Sequence, residues 1–423
     1  MKRLLEEIIK TWWSEPFPLV KPRTIKLSEF FDPKIKKILS VIGFRRTGKT
    51  FTLFDFAKGY GKQQCIYINF EDERLPADVQ VLSRLIEVIK ELKGSQPLVL
   101  LLDEIQEIPG WSVWARRVNE TTPYHLILSG SSSKLSSKEI PTELRGQTLS
   151  IQISPLNWRE FIQFKGLNLQ ETAIPQVLNT AREYITFGGL PEIVLAEEGI
   201  KPLLLTEYYN TFVLRDVIER YHLRNAEALK DLLRLILNTR TYTYTKLANT
   251  LKSLGHGAGK ATIIRYMHWL ESTFFLSTVE LCSPNVKRRI QAAKKAYIID
   301  TYFCSRFSNV FSQNLGSLME QAVWGELERK RFHDPLLEIF YWKDYLQHEV
   351  DFVVMRNQIV KEIIQVTYAH NLSEIAEREL NSLLKAAKEL KCSNLTVITW
   401  EFESKMEMKG HIVNCIPFWK WLL

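Results

Sequence analysis

Eight consecutive residues, Gly43-Phe44-Arg45-Arg46-Thr47-Gly48-Lys49-Thr50, have the side chains and spacing needed to hold a polyphosphate. Glycines at both ends let the chain turn tightly enough for several backbone N–H groups to converge on phosphate oxygens, and a helix starting at Lys49 would add the positive end of its dipole. Lys49 is then placed to reach the β- and γ-phosphates, and the Thr50 hydroxyl to ligate Mg²⁺. Such a loop works only between a buried strand and a helix, and the apolar run over 37–42 and the helical pattern over 50–60 supply both.

The second half of such a site is an acid at the end of another buried strand. Pro97-Leu-Val-Leu-Leu-Leu-Asp103-Glu104 provides it, with Asp103 to hold the metal and Glu104 to polarise the attacking water as the catalytic base. A third apolar run, His125 to Ser129, opens into Ser129-Gly-Ser-Ser-Ser133, where Ser129 is a candidate contact to the γ-phosphate or the water, or else part of a serine-rich turn. Arg145 in ELRGQ and Arg215 in LRDVIER are candidate arginine fingers, supplied in cis or by a neighbouring subunit. The expected ligands are therefore ATP, or GTP, with Mg²⁺.

The elements that must position these residues emerge from the hydrophobic pattern. Short runs apolar throughout (37–42, 64–69, 97–102, 124–129) alternate with helical stretches (50–60, 78–93), which predicts a parallel sheet covered on both faces. With 423 residues, 45% hydrophobic and 25% charged, the chain has the length and composition of a multidomain globular protein. Wholesale disorder, a fibrous repeat and a disulfide scaffold are excluded. The five cysteines are scattered, with no pair at zinc-ligand spacing, and read as reduced core residues. No stretch reaches the ~18 apolar residues of a membrane helix, and acidic residues interrupt the apolar N-terminal run, so a cytoplasmic location without membrane contact is expected.

The net charge of +8 is uneven, since residues 224–290 hold eleven Lys/Arg against four Asp/Glu. That stretch contains two amphipathic helical patterns, 243–251 and 260–270, joined by the glycine-rich SLGHGAG and succeeded by a strand-like 274–281. This is the layout of a winged helix, whose second helix would bring Lys260, Thr262 and Arg265 to DNA, with Lys287, Arg288 and Arg289 on phosphates. Winged helices also dock proteins, so a protein partner stays open beside DNA.

GFRRTGKT, LLLDEIQEIPGW (100–111), LSGSSSKL (128–135), ELRGQTL (143–149), FGGLPEIV (187–194), LRDVIER (214–220) and the later YWKD and HEVDFVV, taken in order, resemble a family of prokaryotic, largely archaeal AAA-type ATPases. That family couples an ATPase core to a winged helix and a nuclease-like C-terminal domain, and the resemblance covers nearly the whole chain. It implies an AAA+-like P-loop NTPase core with a Walker A loop at 43–50, a Walker B pair at Asp103 and Glu104, a sensor serine near Ser129, and ATP rather than GTP. The implied domains are 1–220 (ATP-binding, with a helical lid), 221–290 (winged helix) and 291–423 (α/β). An oligomer is compatible with the resemblance, since AAA cores often need a neighbour's arginine.

The last segment resembles the PD-(D/E)xK nuclease fold: Glu320 on a helix, Asp351 ending one strand, and the next strand carrying IIQVTY. In that resemblance Glu320 and Asp351 are metal ligands, but Gln365 stands where a second acid is expected and Thr367 where the lysine is expected. A glutamine carbonyl still ligates a hard cation, whereas loss of the lysine removes a charge aimed at the transition state. Two readings are open, an ATP-gated endonuclease or a degenerate binding domain.

Overall fold

The computed structural model describes residues 1–130, 144, 146–308 and 314–423, which divide into two compact units, 1–154 and 155–423.

In the first unit, β1 (Ile38–Ile42) feeds the phosphate loop into α2 (Lys49–Tyr60), after an N-terminal helix α1 (Lys2–Ser14). Next come β2 (Cys65–Asn69), α3 (Val79–Lys93), β3 (Val99–Asp103), α4 (Trp111–Thr121), β4 (His125–Gly130) and β5 (Thr148–Gln152). The strands form a fully parallel sheet in the order β2-β3-β4-β1-β5. Every residue of β1, β3 and β4 is buried, as expected for central strands covered on both faces. Leu39, Val41, Leu53, Phe56, Leu101 and Ile127 form a core between sheet and helix. β5 escapes the hydrophobic pattern of the sequence because, at the sheet edge, only Ile151 of its five residues is buried. The opposite edge is covered by α1: Trp12 and Trp13 both donate their indole N–H to the Cys65 carbonyl, at 2.9 and 3.0 Å. A bare edge strand would offer that carbonyl to another chain.

The second unit begins with helices α5 (Trp158–Phe164), α6 (Ile174–Phe187), α7 (Pro191–Leu195) and α8 (Lys201–Thr211), the last continuing as π-helix over Phe212–Glu219. Then come α9 (Ala226–Asn238), β6 (Thr241–Tyr242), α10 (Tyr244–Ser253), α11 (Lys260–Ser272), β7 (Leu276–Leu281), α12 (Val286–Gln291) and β8 (Lys294–Ile298). β6 and β7 each pair antiparallel with β8. After α13 (Thr301–Phe307) the chain forms α14 (Leu315–His333), β9 (Leu337–Lys343), β10 (Glu349–Arg356), β11 (Ile359–Val366), α15 (Glu377–Leu390), β12 (Leu395–Thr399), β13 (Ser404–Met408) and β14 (His411–Pro417).

Residues 241–298 run into the C-terminal segment through a shared sheet, not across a linker. β7 pairs in parallel with β9 at Glu280–Phe340 and Leu281–Tyr341, so one nine-stranded sheet runs β13-β14-β12-β11-β10-β9-β7-β8-β6. The boundary expected at 290/291 falls at the end of α12, between β7, which joins the two halves of this sheet, and β8, which pairs with β6 and β7. Likewise 155–220, grouped by sequence with the nucleotide-binding core, shares a hydrophobic core with the later residues: Trp158, Phe161 and Tyr184 pack with Met319, Trp324 and Phe352. A second core, with Val350, Ile363, Leu383, Val397 and Val413, seats α15 on β10 and β11.

Candidate functional site

The phosphate loop is shaped by backbone that only certain residues accept. Gly43 has φ +147° and Gly48 φ +95°, and a Cβ on Gly43 would lie 2.2 Å from the Ile153 carbonyl oxygen just beyond β5. Gly48 is the residue before the first turn of α2, so the first N–H groups of the helix face into the loop. Lys49 is buried and its Nζ donates to the carbonyls of Gly43 (3.2 Å) and Phe44 (3.1 Å), which holds the loop closed around the ammonium. The Thr47 hydroxyl donates to the Phe44 carbonyl at 2.8 Å. From outside, the buried Arg23 guanidinium donates to the carbonyls of Thr47 and Ser154, both at 2.8 Å, fastening the loop to the end of the first unit. Arg45 lies 4.0 Å from Glu71, and Arg46 has φ +65°.

Facing the loop, Asp103 ends β3 with its carboxylate ringed by hydroxyls. Thr50 Oγ1 donates to Oδ2 at 2.7 Å, Tyr67 Oη to Oδ2 at 3.0 Å, and Ser129 Oγ to Oδ1. Burial raises the Asp103 carboxyl above the usual range, helped by Glu104, while the three hydroxyls oppose the rise. Glu104, next along, is half-buried with φ +50°, and the Gln106 amide donates to it. The structure therefore brings Thr50 and Ser129 together on Asp103 and places Lys49 inside the loop. Tyr67 is an addition that the sequence does not signal; it sits on β2, 36 residues from Asp103, in a segment with no motif of its own. A hydroxyl and a buried carboxylate oxygen 2.7 Å apart form a hard-oxygen donor set that suits Mg²⁺. Arg145 and Ser131 to Ser133 lie outside the described residues. Arg215 is exposed on the π-helical stretch of the second unit.

A second cluster lies in the second unit. Glu320 on α14 and Asp351 on β10 converge upon Lys295 of β8, which no motif in the sequence marks. Lys295 Nζ lies 3.1 Å from Glu320, 3.0 Å from Asp351 and 2.8 Å from Glu349. Arg240 adds a 2.7 Å ion pair to Glu320, and Tyr297 Oη donates to it at 2.6 Å. Burial by itself would raise the Glu320 carboxyl, but Lys295 and Arg240 outweigh it and hold the group at about 2. Asp351 is raised to about 6, by burial and then by Glu320. Among the described residues no group of three or more His, Cys, Asp or Glu side chains is arranged to hold a metal ion, and no helix is long and apolar enough to cross a membrane.

On the basic segment, Lys246, Lys252, Lys260, Arg265 and Lys287 are exposed, while Thr262, Arg288 and Arg289 are half-buried. Arg289 pairs with Glu280 at 3.6 Å and Arg288 lies over the Tyr345 ring.

A five-stranded parallel sheet with a phosphate loop leaving its β1 and an acid ending β3 defines the first unit as a P-loop NTPase fold of the AAA type. Residues 35–162 match the family described as AAA domain; 178–314 and 315–421 match two families described as domains of unknown function, DUF8612 and DUF4143. The chain is 35% identical over 401 residues to the uncharacterized protein MJ1544 of Methanocaldococcus jannaschii, covering 92% of this chain and 88% of that one, and it belongs to the same family. It is also 26% identical over 409 residues to an uncharacterized protein of Haemophilus influenzae, covering 94% and 96%. Among solved structures, the Walker-type ATPase PABY2304 of Pyrococcus abyssi is similar at 13% identity and a TM-score of 0.43, over 68% of this chain and 99% of that one.

Proposed function

We propose that the chain is an Mg²⁺-dependent ATPase whose nucleotide state governs how residues 221–298 engage duplex DNA. The single observation that carries the hydrolytic reading is the arrangement at Asp103, where Thr50, Ser129 and Tyr67 all place hydroxyls on one buried carboxylate opposite Lys49.

In this reading the loop N–H groups and Lys49 bind the phosphates, the Lys49 ammonium exchanging the Gly43 and Phe44 carbonyls for phosphate oxygens. The Thr50 hydroxyl and the Asp103 carboxylate would hold Mg²⁺, which neutralises charge on the β- and γ-phosphates when bound. Glu104 orients and deprotonates the attacking water, Ser129 positions near the γ-phosphate, and Arg145 or Arg215 supplies the finger. Arg23 offers a route for the nucleotide state to leave the loop, because one guanidinium grips both Thr47 and Ser154, the last residue of the first unit.

The DNA reading is supported by the order α9, β6, α10, α11, β7, the short helix α12 and β8 with strand order β7-β8-β6, the layout of a winged helix with α12 between its last two strands. The exposed Lys260, Arg265 and His268 of α11 face solvent in the position of a recognition helix. The α/β segment after β8 is read as the nuclease-like module.

The test is the steady-state ATP hydrolysis rate with Mg²⁺, with and without duplex DNA, at low and moderate salt. Lys49→Ala should lower the rate at least about 100-fold. DNA should raise the wild-type rate and added salt should abolish the rise. A rate that Lys49→Ala abolishes but DNA never changes would sink the DNA half of the proposal and leave an ATPase answering to a protein.

A further inference from the structure

The acid cluster of the second unit is complete without a metal. A lysine ammonium has three donor hydrogens, and Lys295 meets three carboxylates, those of Glu320, Glu349 and Asp351, at 2.8 to 3.1 Å. The remaining carboxylate oxygens are also used. Glu320 Oε2 takes Arg240 at 2.7 Å, Glu349 Oε2 takes Lys343 at 3.1 Å, and Asp351 Oδ2 accepts the Val366 backbone N–H at 3.0 Å. Three acids face three bases, so the cluster is neutral as it stands.

A PD-(D/E)xK site would place a divalent cation between Glu320 and Asp351, and these residues do not fit one. The oxygens stand at ammonium distance, whereas Mg²⁺ draws its ligands to about 2.0–2.1 Å and Ca²⁺ to about 2.3–2.6 Å. The point between them is filled by Nζ. Lys295 is 3% exposed and β8 holds its backbone on both sides, through β6 and β7, so the ammonium is buried among the three carboxylates. A metal entering the site would leave a buried, unpaired lysine charge, which is strongly unfavourable. One further ligand-type atom is idle: the Gln365 side chain, one pair along from Phe352–Ile364 and so beside Asp351, has a buried Oε1 without a hydrogen-bond partner.

We propose that Lys295 is the built-in cation of this acid site, and that the nuclease-like module is a metal-independent anchor that clamps β8 and Arg240 to α14 and β10 instead of cleaving phosphodiesters. Lys295 and Arg240 come from the winged-helix-like segment and its flank, while the acids come from α14 and β10 and the third base, Lys343, from β9. The ion cluster therefore secures the segment that carries the exposed basic face to the C-terminal sheet. Removing the lysine charge would free one oxygen on each of the three carboxylates and leave the cluster one negative charge in excess, a hard-oxygen set that a cation could enter.

The experiment uses the full chain without nucleotide, with Asp103→Asn in the background so that the phosphate loop contributes no metal. Thermal unfolding and Mn²⁺ binding by electron paramagnetic resonance are read in the presence and absence of Mn²⁺ and Ca²⁺. With Lys295 in place, the expected result is a Tm shift under about 1 °C and no Mn²⁺ site that Asp351→Asn removes. Lys295→Met should lower Tm, and millimolar Mn²⁺ or Ca²⁺ should recover several degrees of it, a gain that Asp351→Asn abolishes. A saturable Mn²⁺ site in the chain that keeps Lys295, lost on Asp351→Asn, overturns the proposal, as does Mg²⁺-dependent plasmid nicking lost in Asp351→Ala. A folded Lys295→Met chain indifferent to both metals overturns it too. If Lys295→Met does not fold, the Mn²⁺ titration of the lysine-containing chain decides by itself.

Discussion

Asp103 accepts from Thr50, Tyr67 and Ser129, three hydroxyls drawn from α2, β2 and β4, and each has a separable consequence. Tyr67 touches no phosphate in the proposed reaction and acts through Asp103, so it is a positioning residue. Tyr67→Phe keeps the ring packed against Trp12 and Phe54 and removes only the donor. A hydrogen bond to a charged group contributes about 1.5–3 kcal/mol, so the Mg²⁺ concentration giving half-maximal hydrolysis should rise about tenfold with little change in ATP affinity. A purely structural tyrosine would leave that Mg²⁺ dependence unmoved, which a Mg²⁺ titration at saturating ATP distinguishes. Residues whose chemistry is written in a continuous string, such as Gly43 to Thr50 or Asp103-Glu104, are legible in the sequence because the loop's geometry is local. Tyr67 and Lys295 are not, since each acquires its role from partners on distant strands and neither belongs to a motif.

At the scale of elements, close backbone approach decides which substitutions the fold tolerates. Gly43 is pressed against the segment after β5, where Ile153 N–H donates to the Ile42 carbonyl at 2.7 Å, so Gly43→Ala forces the loop off that strand end. Nucleotide binding, measured by equilibrium fluorescence of a labelled ATP analogue, should be lost while the second unit keeps its own unfolding transition. At Gly188, with φ +73°, an added Cβ would come within 1.7 Å of the Asp300 carboxylate, and Asp300 in turn accepts the N–H groups of Gly189 and Tyr302. Burial pushes the Asp300 carboxyl up to about 6. Its protonated form is thus favoured in the folded chain, so this group's contribution to stability is greatest below the unfolded value near 4 and is lost as pH rises through 6, by about 1.4 kcal/mol per unit. Asp300→Asn should flatten that part of the stability profile between pH 4 and 6, as urea unfolding at each pH would measure. The central strands and the helices between them are readable from apolar runs and helical spacing. β5 and the β13–β14 pair are not, because edge strands such as Ser404–Met408 are half exposed and interleave charge with apolar residues.

For the molecule as a whole, charge and exposure make the sharpest prediction. The basic excess of 224–290 is partly neutralised, since Arg234, Arg240 and Arg289 are paired with Asp231, Glu320 and Glu280, leaving Arg224, Lys246, Lys252, Lys260, Arg265 and Lys287 exposed. Arg265 lies over the Trp269 ring, itself stacked on Tyr221 at 4.4 Å, so its guanidinium is held near the helix surface and not free to sweep solvent. Lys260 and Arg265 should therefore meet phosphates from a fixed register. Binding to a short duplex, tracked by anisotropy from 50 to 200 mM salt, should weaken steeply, and each phosphate contact removed should reduce the magnitude of the log–log slope by about one. Lys260→Ala and Arg265→Ala together should lower it by about two across unrelated sequences. If the slope is unchanged by the pair, the exposed face of α11 is not the DNA contact. Its 42% exposed Ile264, flanked by those two bases, then becomes the centre of a protein-docking face, because an apolar side chain at that position gains nothing from a phosphate backbone and much from a partner's core.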